Sequence, residues 1–284
     1  MTRLADIQGH IASMDELLDI VGAMRSLAGM RVQEAQHALP GIRRYAESMV
    51  ASVGTAVLLM EGAAPAVPGA GKALILCAAE HGFVGGFNEH LLDAADAALA
   101  ADDTLFVLGS RGATLALERG RQHFWTRPMA TRLAGIPDAV NHLTAELYAR
   151  IARDELSHLD VMFARYRPGG GSTVERNRLL PFDAASLAVA QPRLPPLHNL
   201  EPRVLLERLM AEYVFARLTE AAVESLASEN AARFAAMDSA RDNVAKKLRQ
   251  LQQDARQARQ TEITAELLDL VTGAEGLLGK ARVA

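Results

Sequence analysis

The sequence is poor in several residue types that define common protein classes. It has one cysteine among 284 residues, which excludes an intramolecular disulfide and a cysteine-based zinc site and favours a reducing compartment. No apolar run reaches the eighteen or so residues that span a bilayer. The net charge of −4 argues against binding to nucleic acid or to an anionic membrane. We therefore expect a soluble protein that meets a membrane only through partners.

Catalytic and metal-binding signatures are also scarce. The eight histidines include no pair at metal-ligand spacing beside a carboxylate, and His-Glu-x-x-His is absent. Ser110 lacks the Gly-x-Ser-x-Gly frame of a hydrolase nucleophile. Cys77 lies within an apolar run, where a core thiol is commoner than a nucleophile. The sequence thus predicts no catalytic site, no metal site and no cofactor.

The longest regular pattern runs from residue 200 to about 278. No proline follows Pro202, and no glycine occurs between Pro202 and Gly273. Apolar or small residues recur in alternating steps of three and four, at Met237, Ala240, Val244, Leu248, Leu251, Ala255 and Ala258. This spacing predicts a helix that packs lengthwise against another helix. A helix of that length would extend about 110 Å and therefore needs a partner.

The N-terminal part of the chain supplies that partner. The same spacing holds over about six heptads, with Arg25 on the seam between Val21 and Ala28 and apolar or small residues at Ile7, Ile11, Met14, Leu18, Val21, Ala28, Val32, Ala35, Leu39, Ile42, Ala46, Met49 and Val53. Pro40-Gly41 predicts a kink or break in this helix. Because a compact region separates the two helices along the chain, we expect a long antiparallel coiled coil. A four-helix bundle is the alternative, although only two helices have this length.

In the region between the two long helices, the spacing of the apolar residues changes. A linker rich in proline, alanine and glycine is expected at 62–71. We expect strands at 73–78, 104–108, 122–126, 159–166 and 173–180, and helices at 89–100, 110–119 and 137–154. This alternation predicts a parallel or mixed α/β sheet. The fold class is therefore α/β, with an N-terminal coiled-coil helix at 1–61, an inserted Rossmann-like domain at 72–196 and a C-terminal coiled-coil helix at 200–284.

A glycine-rich turn at 82–88 follows the first predicted strand and precedes a helix, where phosphate groups often bind. The turn is not Gly-x-Gly-x-x-Gly, and the strand at 104–108 leads to Ser110-Arg111 rather than to a ribose-binding carboxylate. A tight structural turn is the favoured interpretation. The alternative is a nucleotide-dependent enzyme that uses its coiled-coil arms for dimerisation.

Polar residues stand out on the C-terminal helix, most of whose surface we expect to meet other proteins: Ser228, Glu229, Arg233, Asn243, Arg259, Gln260, Thr264 and Glu266. Arg259 and Glu266 are seven residues apart and share one helix face, which suits paired charge-assisted contacts to another chain. A solvated face is the simpler interpretation. A passive coiled-coil adaptor would not explain why Arg259-Gln260 and Thr264-x-Glu266 occur together.

The chain resembles a known family most strongly in the segments 226–233, 236–238, 242–243, 258–260, 263–264, 266–267 and 273–274. Weaker matches lie at 6–7, 23–24, 82–88, 179–181 and 201–202. In these segments the sequence resembles the γ subunit of F-type ATP synthases, and the resemblance covers nearly the whole chain. It implies a central rotor shaft without a catalytic site, because ATP chemistry in this family belongs to the α and β subunits.

The resemblance also implies partners and a location. The coiled coil would stand inside a hexamer of alternating α and β subunits, while the α/β domain rests with the ε subunit on the membrane c-ring. Ion flow would turn ring and shaft together, and the asymmetric shaft would move the β subunits through different nucleotide affinities. The protein would then lie at the cytoplasmic face of a bacterial cell membrane.

Individual contacts are implied by alignment with the family. Contact with a β-subunit loop is implied for Arg259, Gln260, Thr264 and Glu266. Contact with the β-subunit lever segment is implied for Met24, with Arg25 and Arg31 beside it. Contact with the c-ring and the ε subunit is implied for Glu201.

The sequence departs from the family pattern at several contact positions. The family's basic cluster is replaced by Gln8-Gly9-His10 and Asp15-Glu16, its cysteine in the glycine-rich segment by Val84, and its Tyr-Asn pair by Ala255-Arg256. These departures affect single contacts rather than the fold. They favour a divergent paralogue, such as a member of the alternative sodium-translocating class. The sequence leaves open the transported ion and the direction of the reaction.

Overall fold

The computed structural model describes residues 3–60, 71–100, 103–121, 125–167, 171–182 and 197–281. Two long helices, one near each end of the chain, flank a five-stranded mixed sheet with shorter helices. The predicted α/β fold class is confirmed. Residues 62–70 of the predicted linker and the first residues of the third predicted strand, 122–124, lie outside the described residues.

Most elements lie within a few residues of their predicted positions. The helices are α1 (Arg3–Val57), α2 (Phe87–Ala98), α3 (Ser110–Glu118), α4 (Ile136–Ile151) and α5 (Pro202–Ala281). The strands are β1 (Lys72–Cys77), β2 (Thr104–Leu108), β3 (Trp125–Arg127), β4 (His158–Tyr166) and β5 (Ser172–Leu180).

The expected interruption of α1 at Pro40 is not a break, because one helix continues through it. Proline inside a helix costs about 3 kcal/mol by removing a hydrogen bond and crowding the preceding turn. Pro40 itself is exposed, whereas Leu39 and Ala46 beside it are buried. Packing on both sides of Pro40 therefore keeps the helix continuous.

The contacts divide the chain into two compact units. The terminal unit contains Met1–Ser26 and Met237–Ala284, and the central unit contains Leu27–Ala236. Both α1 and α5 contribute residues to each unit.

The terminal unit is an antiparallel pair of helical segments. Arg25 of α1 lies beside Asp238 of α5, with 2.6 Å between Arg25 Nε and Asp238 Oδ1. Near the start of α1, Leu4 and Ile7 instead line a groove with α5 residues between 254 and 265. Early residues of α1 thus face late residues of α5, as the heptad pattern predicts.

The central unit is built on a sheet with strand order β3-β2-β1-β4-β5, in which β5 pairs antiparallel to β4 and the other pairs are parallel. The β1 strand is buried on both faces, as its continuous apolar run predicts. Helices α2 and α3 cover one face through residues such as Leu91 and Ala116. The other face packs against α1, α4 and α5 through residues such as Leu39, Val140 and Val214.

Candidate partner-contact surfaces

The late segment of α5 in the terminal unit carries the four residues expected to contact a β-subunit loop. The helix face toward α1 is formed by a separate set that lines the groove: Asp254, Gln257, Ala258, Thr261, Glu262 and Ala265. Arg259, Gln260, Thr264 and Glu266 do not belong to this set, and all four are exposed. None of the four therefore lines the groove, and Thr264 Oγ1 donates to the Gln260 carbonyl at 2.8 Å.

Exposed apolar side chains lie among these polar residues. Ile263, Leu267, Leu270 and Val271 are each more than half exposed. Their spacing of four, three and one residues places them on one side of α5, next to Arg259 and Glu266. We call these six residues the apical surface. Contiguous apolar surface of this kind usually marks a site of protein interaction.

The residues expected near the β-subunit lever have different environments. In the terminal unit, Met24 is half-buried and Arg25 is held by its ion pair with Asp238. The side chains of Arg25 and Asp238 retain 33% and 50% exposure, so the pair is accessible from outside. In the central unit, Arg31 is half-buried on α1. The structure therefore gives Arg25 a role within this chain as well.

Glu201 immediately precedes α5 in the central unit and is exposed. Its carbonyl accepts the Leu205 N–H at 2.9 Å, which closes the first turn of the helix. A groove of about 380 Å3 lies close along the chain and includes Leu197, His198 and Leu205 in its lining. Leu197 is fully exposed. The carboxylate of Glu201 and the exposed side chain of Leu197 thus lie close together in sequence, just before α5.

The glycine-rich turn is attached to α5. Arg233 donates to the Gly82 carbonyl from Nε and Nη2, at 3.4 and 3.3 Å, and to the His81 carbonyl from Nη2 at 3.3 Å. Arg233 also pairs with Glu229 at 2.7 Å. Burial raises the pKa of Glu229 above its ordinary value, and the attraction of Arg233 opposes that rise. These contacts support the interpretation of 82–88 as a structural turn.

A carboxylate of this chain already lies at the position where α3 could bind an anion. Glu80 accepts the Ser110 N–H at 2.9 Å and the Ser110 hydroxyl at 2.8 Å, at the N-terminus of α3. It also accepts the Met129 N–H at 2.8 Å. Helix N-termini favour negative charge, and here Glu80 supplies it. The geometry does not favour a phosphate site at this edge of the sheet.

Three polar residues expected to meet other proteins are buried within this chain instead. Ser228 donates to the Ala164 carbonyl of β4 at 2.8 Å, and Glu229 and Arg233 hold the glycine-rich turn. One turn earlier, Ser225 donates to the Cys77 carbonyl of β1 at 2.6 Å. Sequence reasoning missed Glu80 and Ser225, whose partners are distant in the chain. The middle of α5 is therefore an attachment to the sheet.

Cys77 lies in the core. Its side chain is fully buried, and that burial raises the pKa of the thiol to about 12. A thiol of this kind is largely protonated at neutral pH and unreactive. Within the described residues no cluster of three histidine, cysteine or acidic side chains could hold a metal ion. In the same part of the chain, no helix combines the length and apolarity needed to cross a bilayer.

Solved chains that share this fold come from structures of ATP synthases. The mitochondrial ATP synthase of Euglena gracilis, in a structure of OSCP, F1 and c-ring, includes a chain that matches with a TM-score of 0.66, 11% identity and coverage of 96% of this chain and 94% of that chain. A chain of the central stalk and c-ring of Tetrahymena thermophila matches with a TM-score of 0.56, 15% identity and coverage of 78% and 99%. These matches show a shared fold.

Comparison of sequences leads to the same family. The model of the family described as ATP synthase matches residues 3–277. The ATP synthase gamma chain of Brucella anthropi is 26% identical, and that of Rhodospirillum rubrum is 25% identical. Each alignment covers 98% of this chain and 100% of the relative. The chain therefore belongs to the ATP synthase family, among its gamma chains.

Proposed function

We propose that this chain is the central rotor subunit of an F-type ATP synthase or ATPase. It couples ion flow through a c-ring to changes of nucleotide state in a hexamer of α and β subunits. The observation that carries the proposal is the alignment with gamma chains over their full length. The chain supplies no catalytic group in this proposal, and ATP chemistry takes place on the α and β subunits.

The exposed surfaces suit the partners of such a rotor. The apical surface combines apolar side chains with Arg259 and Glu266. A β-subunit loop can therefore bury the apolar side chains and form ion pairs with Arg259 and Glu266. Gln260 and Thr264 lie beside it and complete the β-loop contact. We assign Met24, Arg25 and Arg31 to the lever segment of the β subunit.

The other proposed partners are the c-ring and the ε subunit. We assign contact with them to Glu201 and the neighbouring surface. Binding to them places the chain at the cytoplasmic face of a bacterial membrane, to which it attaches only through these subunits. In this proposal the c-ring determines which ion is transported, since this chain does not contact the ion.

Truncation after Leu251 tests the proposal. Every residue of the central unit precedes Met237, so the truncated chain keeps that unit and loses the apical surface. We expect assembly with the other subunits, retained folding of the central unit, and weakened ATP-driven ion pumping for each ATP hydrolysed. Full-strength pumping by the truncated rotor would contradict the proposal.

A further inference from the structure

The most deeply buried acidic side chain of the described central unit has no part in the contacts proposed above. Glu224 of α5 is 0% exposed. Its Oε1 accepts a hydrogen bond from Arg43 of α1 and lies 3.4 Å from Nη1 of Arg165 on β4. One carboxylate oxygen thereby connects both long helices with the sheet.

Arg165 extends the connection to the last strand. Its Nε lies 2.7 Å from Glu175 Oε1 on β5, and its guanidinium carbon lies 5.6 Å from the centre of the Phe163 ring. One turn after Glu224, Ser228 binds the carbonyl of Ala164, the residue next to Arg165. The cluster of Arg43, Arg165, Glu175 and Glu224 therefore contains a residue from each of α1, β4, β5 and α5.

This ion cluster can fix the register of the helices, which apolar packing alone does poorly. The buried seam of α1 in the central unit is rich in alanine, with Ala28, Ala35 and Ala46 almost fully buried. Such small side chains make shallow contacts, and burial of apolar surface is non-directional. A buried ion pair is different, because a displaced helix would leave charge unpaired in a medium of low polarity.

The pairing of Glu224 depends on one oxygen. In the described parts of the chain, no hydrogen-bond donor reaches its Oε2. Sliding or turning of either helix would separate Oε1 from Arg43 or Arg165, and no second donor would compensate. Single buried polar groups are known to fix the register of packed helices.

We propose that Glu224 is a positioning residue that locks α1 and α5 to the β4–β5 hairpin, so that torque on the central unit turns both helices together. This inference rests on the proposed rotor function. Loss of the lock would allow the helices to slip, and ATP hydrolysis would continue with less ion transport for each ATP.

The first test replaces Arg43 by glutamine in the complete complex, in inverted membrane vesicles. Arg43 is 40% exposed, and Glu224 would keep Arg165, so the variant should fold and assemble. The matched control is Arg44→Gln, because Arg44 is exposed and its Nε donates to the Pro40 carbonyl of its own helix. We expect Arg43→Gln to lower the ratio of ions pumped to ATP hydrolysed and Arg44→Gln to leave it unchanged.

The second test compares Glu224→Gln with Glu207→Gln. Glu207 lies on the same helix, is exposed and pairs with Arg203 at 3.4 Å, its one ion pair among the described residues. A purely structural role would reduce the amount of complex and lower pumping and hydrolysis together. We expect Glu224→Gln to lower their ratio and Glu207→Gln to preserve it.

The outcomes separate this inference from the rotor function. A wild-type ratio in assembled Arg43→Gln complexes would overturn the role of Glu224, whatever the behaviour of Glu224→Gln, while the rotor function would stand. Failure of the wild-type chain to support any ion pumping would overturn the rotor function and this inference with it.

Discussion

Helix α5 passes through two opposite environments. From Ala221 to Asn230 ten successive residues are buried, and two of them, Glu224 and Glu229, carry a carboxylate. From Ile263 to Val271 nine successive residues are exposed, and five of them are large and apolar. Charge is thus buried in one segment and apolar surface exposed in the other, the reverse of the usual distribution.

The difference shows what each segment does. Most polar groups of the buried segment are satisfied within the chain, since Ser225, Ser228 and Glu229 all have hydrogen-bond partners in the central unit. The apical surface leaves apolar area in water, which is unfavourable until another protein covers it. Apart from Glu224, whose role in coupling is proposed above, we therefore expect substitutions in the first segment to change stability and substitutions in the second to change coupling.

The largest loss of stability is expected for Arg233→Met. The change removes the partner of the buried Glu229 and the donors to the glycine-rich turn. Breaking a buried pair in this way costs about 3–5 kcal/mol. Urea unfolding of the isolated chain measures the effect, with Arg259→Met, at an exposed position one turn before the exposed segment, as the matched control. Equal midpoints for the two variants would contradict the distinction between segments.

A leucine in each segment gives a second matched pair. Leu226→Ala removes a side chain that is 3% exposed and should lower the free energy of unfolding by about 2–5 kcal/mol. Leu267→Ala removes one that is 57% exposed and should change it by no more than about 0.5 kcal/mol. Thermal unfolding monitored by circular dichroism distinguishes them. A similar loss in both would show that this chain covers Leu267 itself.

The pH dependence of stability gives a smaller and more specific effect. Because burial raises the pKa of Glu229 above 4.5, the folded state binds its proton more tightly than the unfolded state. The contribution of Glu229 is therefore fully present below about pH 4.5 and is lost as the pH rises through the folded pKa. Unfolding of the wild type and Glu229→Gln at a series of pH values tests this. The wild type should lose stability relative to the variant as the pH rises, and a constant difference would contradict the assignment.

The smallest effect on stability is expected at the apical surface. Arg259→Ala and Glu266→Ala remove exposed side chains, so the unfolding midpoint should stay close to that of the wild type. Ion pumping per ATP should fall in the complete complex if a β-subunit loop binds these groups. Unchanged pumping in the double variant, Arg259→Ala with Glu266→Ala, would show that these two residues do not form the contact.

The sequence predicts the fold well because the main forces act periodically along it. The heptad spacing of Val21, Met237 and Leu251 reflects burial that the structure confirms. The apolar run of β1 and the alternation of strands and helices lead to the mixed sheet. The predicted break at Pro40 is wrong because the cost of proline is local, whereas the packing that offsets it is tertiary.

The ion cluster could not be predicted in the same way. Glu224 has partners 181 and 59 residues away, and a single buried carboxylate has no periodic signal. The sequence also does not show whether a polar residue of α5 faces the sheet or a partner, which is why Ser228 and Arg233 were expected at an outer surface. The partner-contact assignments derive from family resemblance and all stay predictions: Met24, Arg25, Arg31, Glu201, Arg259, Gln260, Thr264 and Glu266.

Rotation of this chain inside its complex tests the central claim most directly. Cys77 is buried with its thiol pKa raised to about 12, so Leu117→Cys, at an exposed position of α3, offers one selectively reactive thiol. A gold rod attached there, with the α and β subunits immobilised, reports motion of the central unit during ATP hydrolysis. The account predicts continuous rotation in one direction that stops when ATP is removed. A hydrolysing complex in which the rod stays still or turns without direction would contradict it.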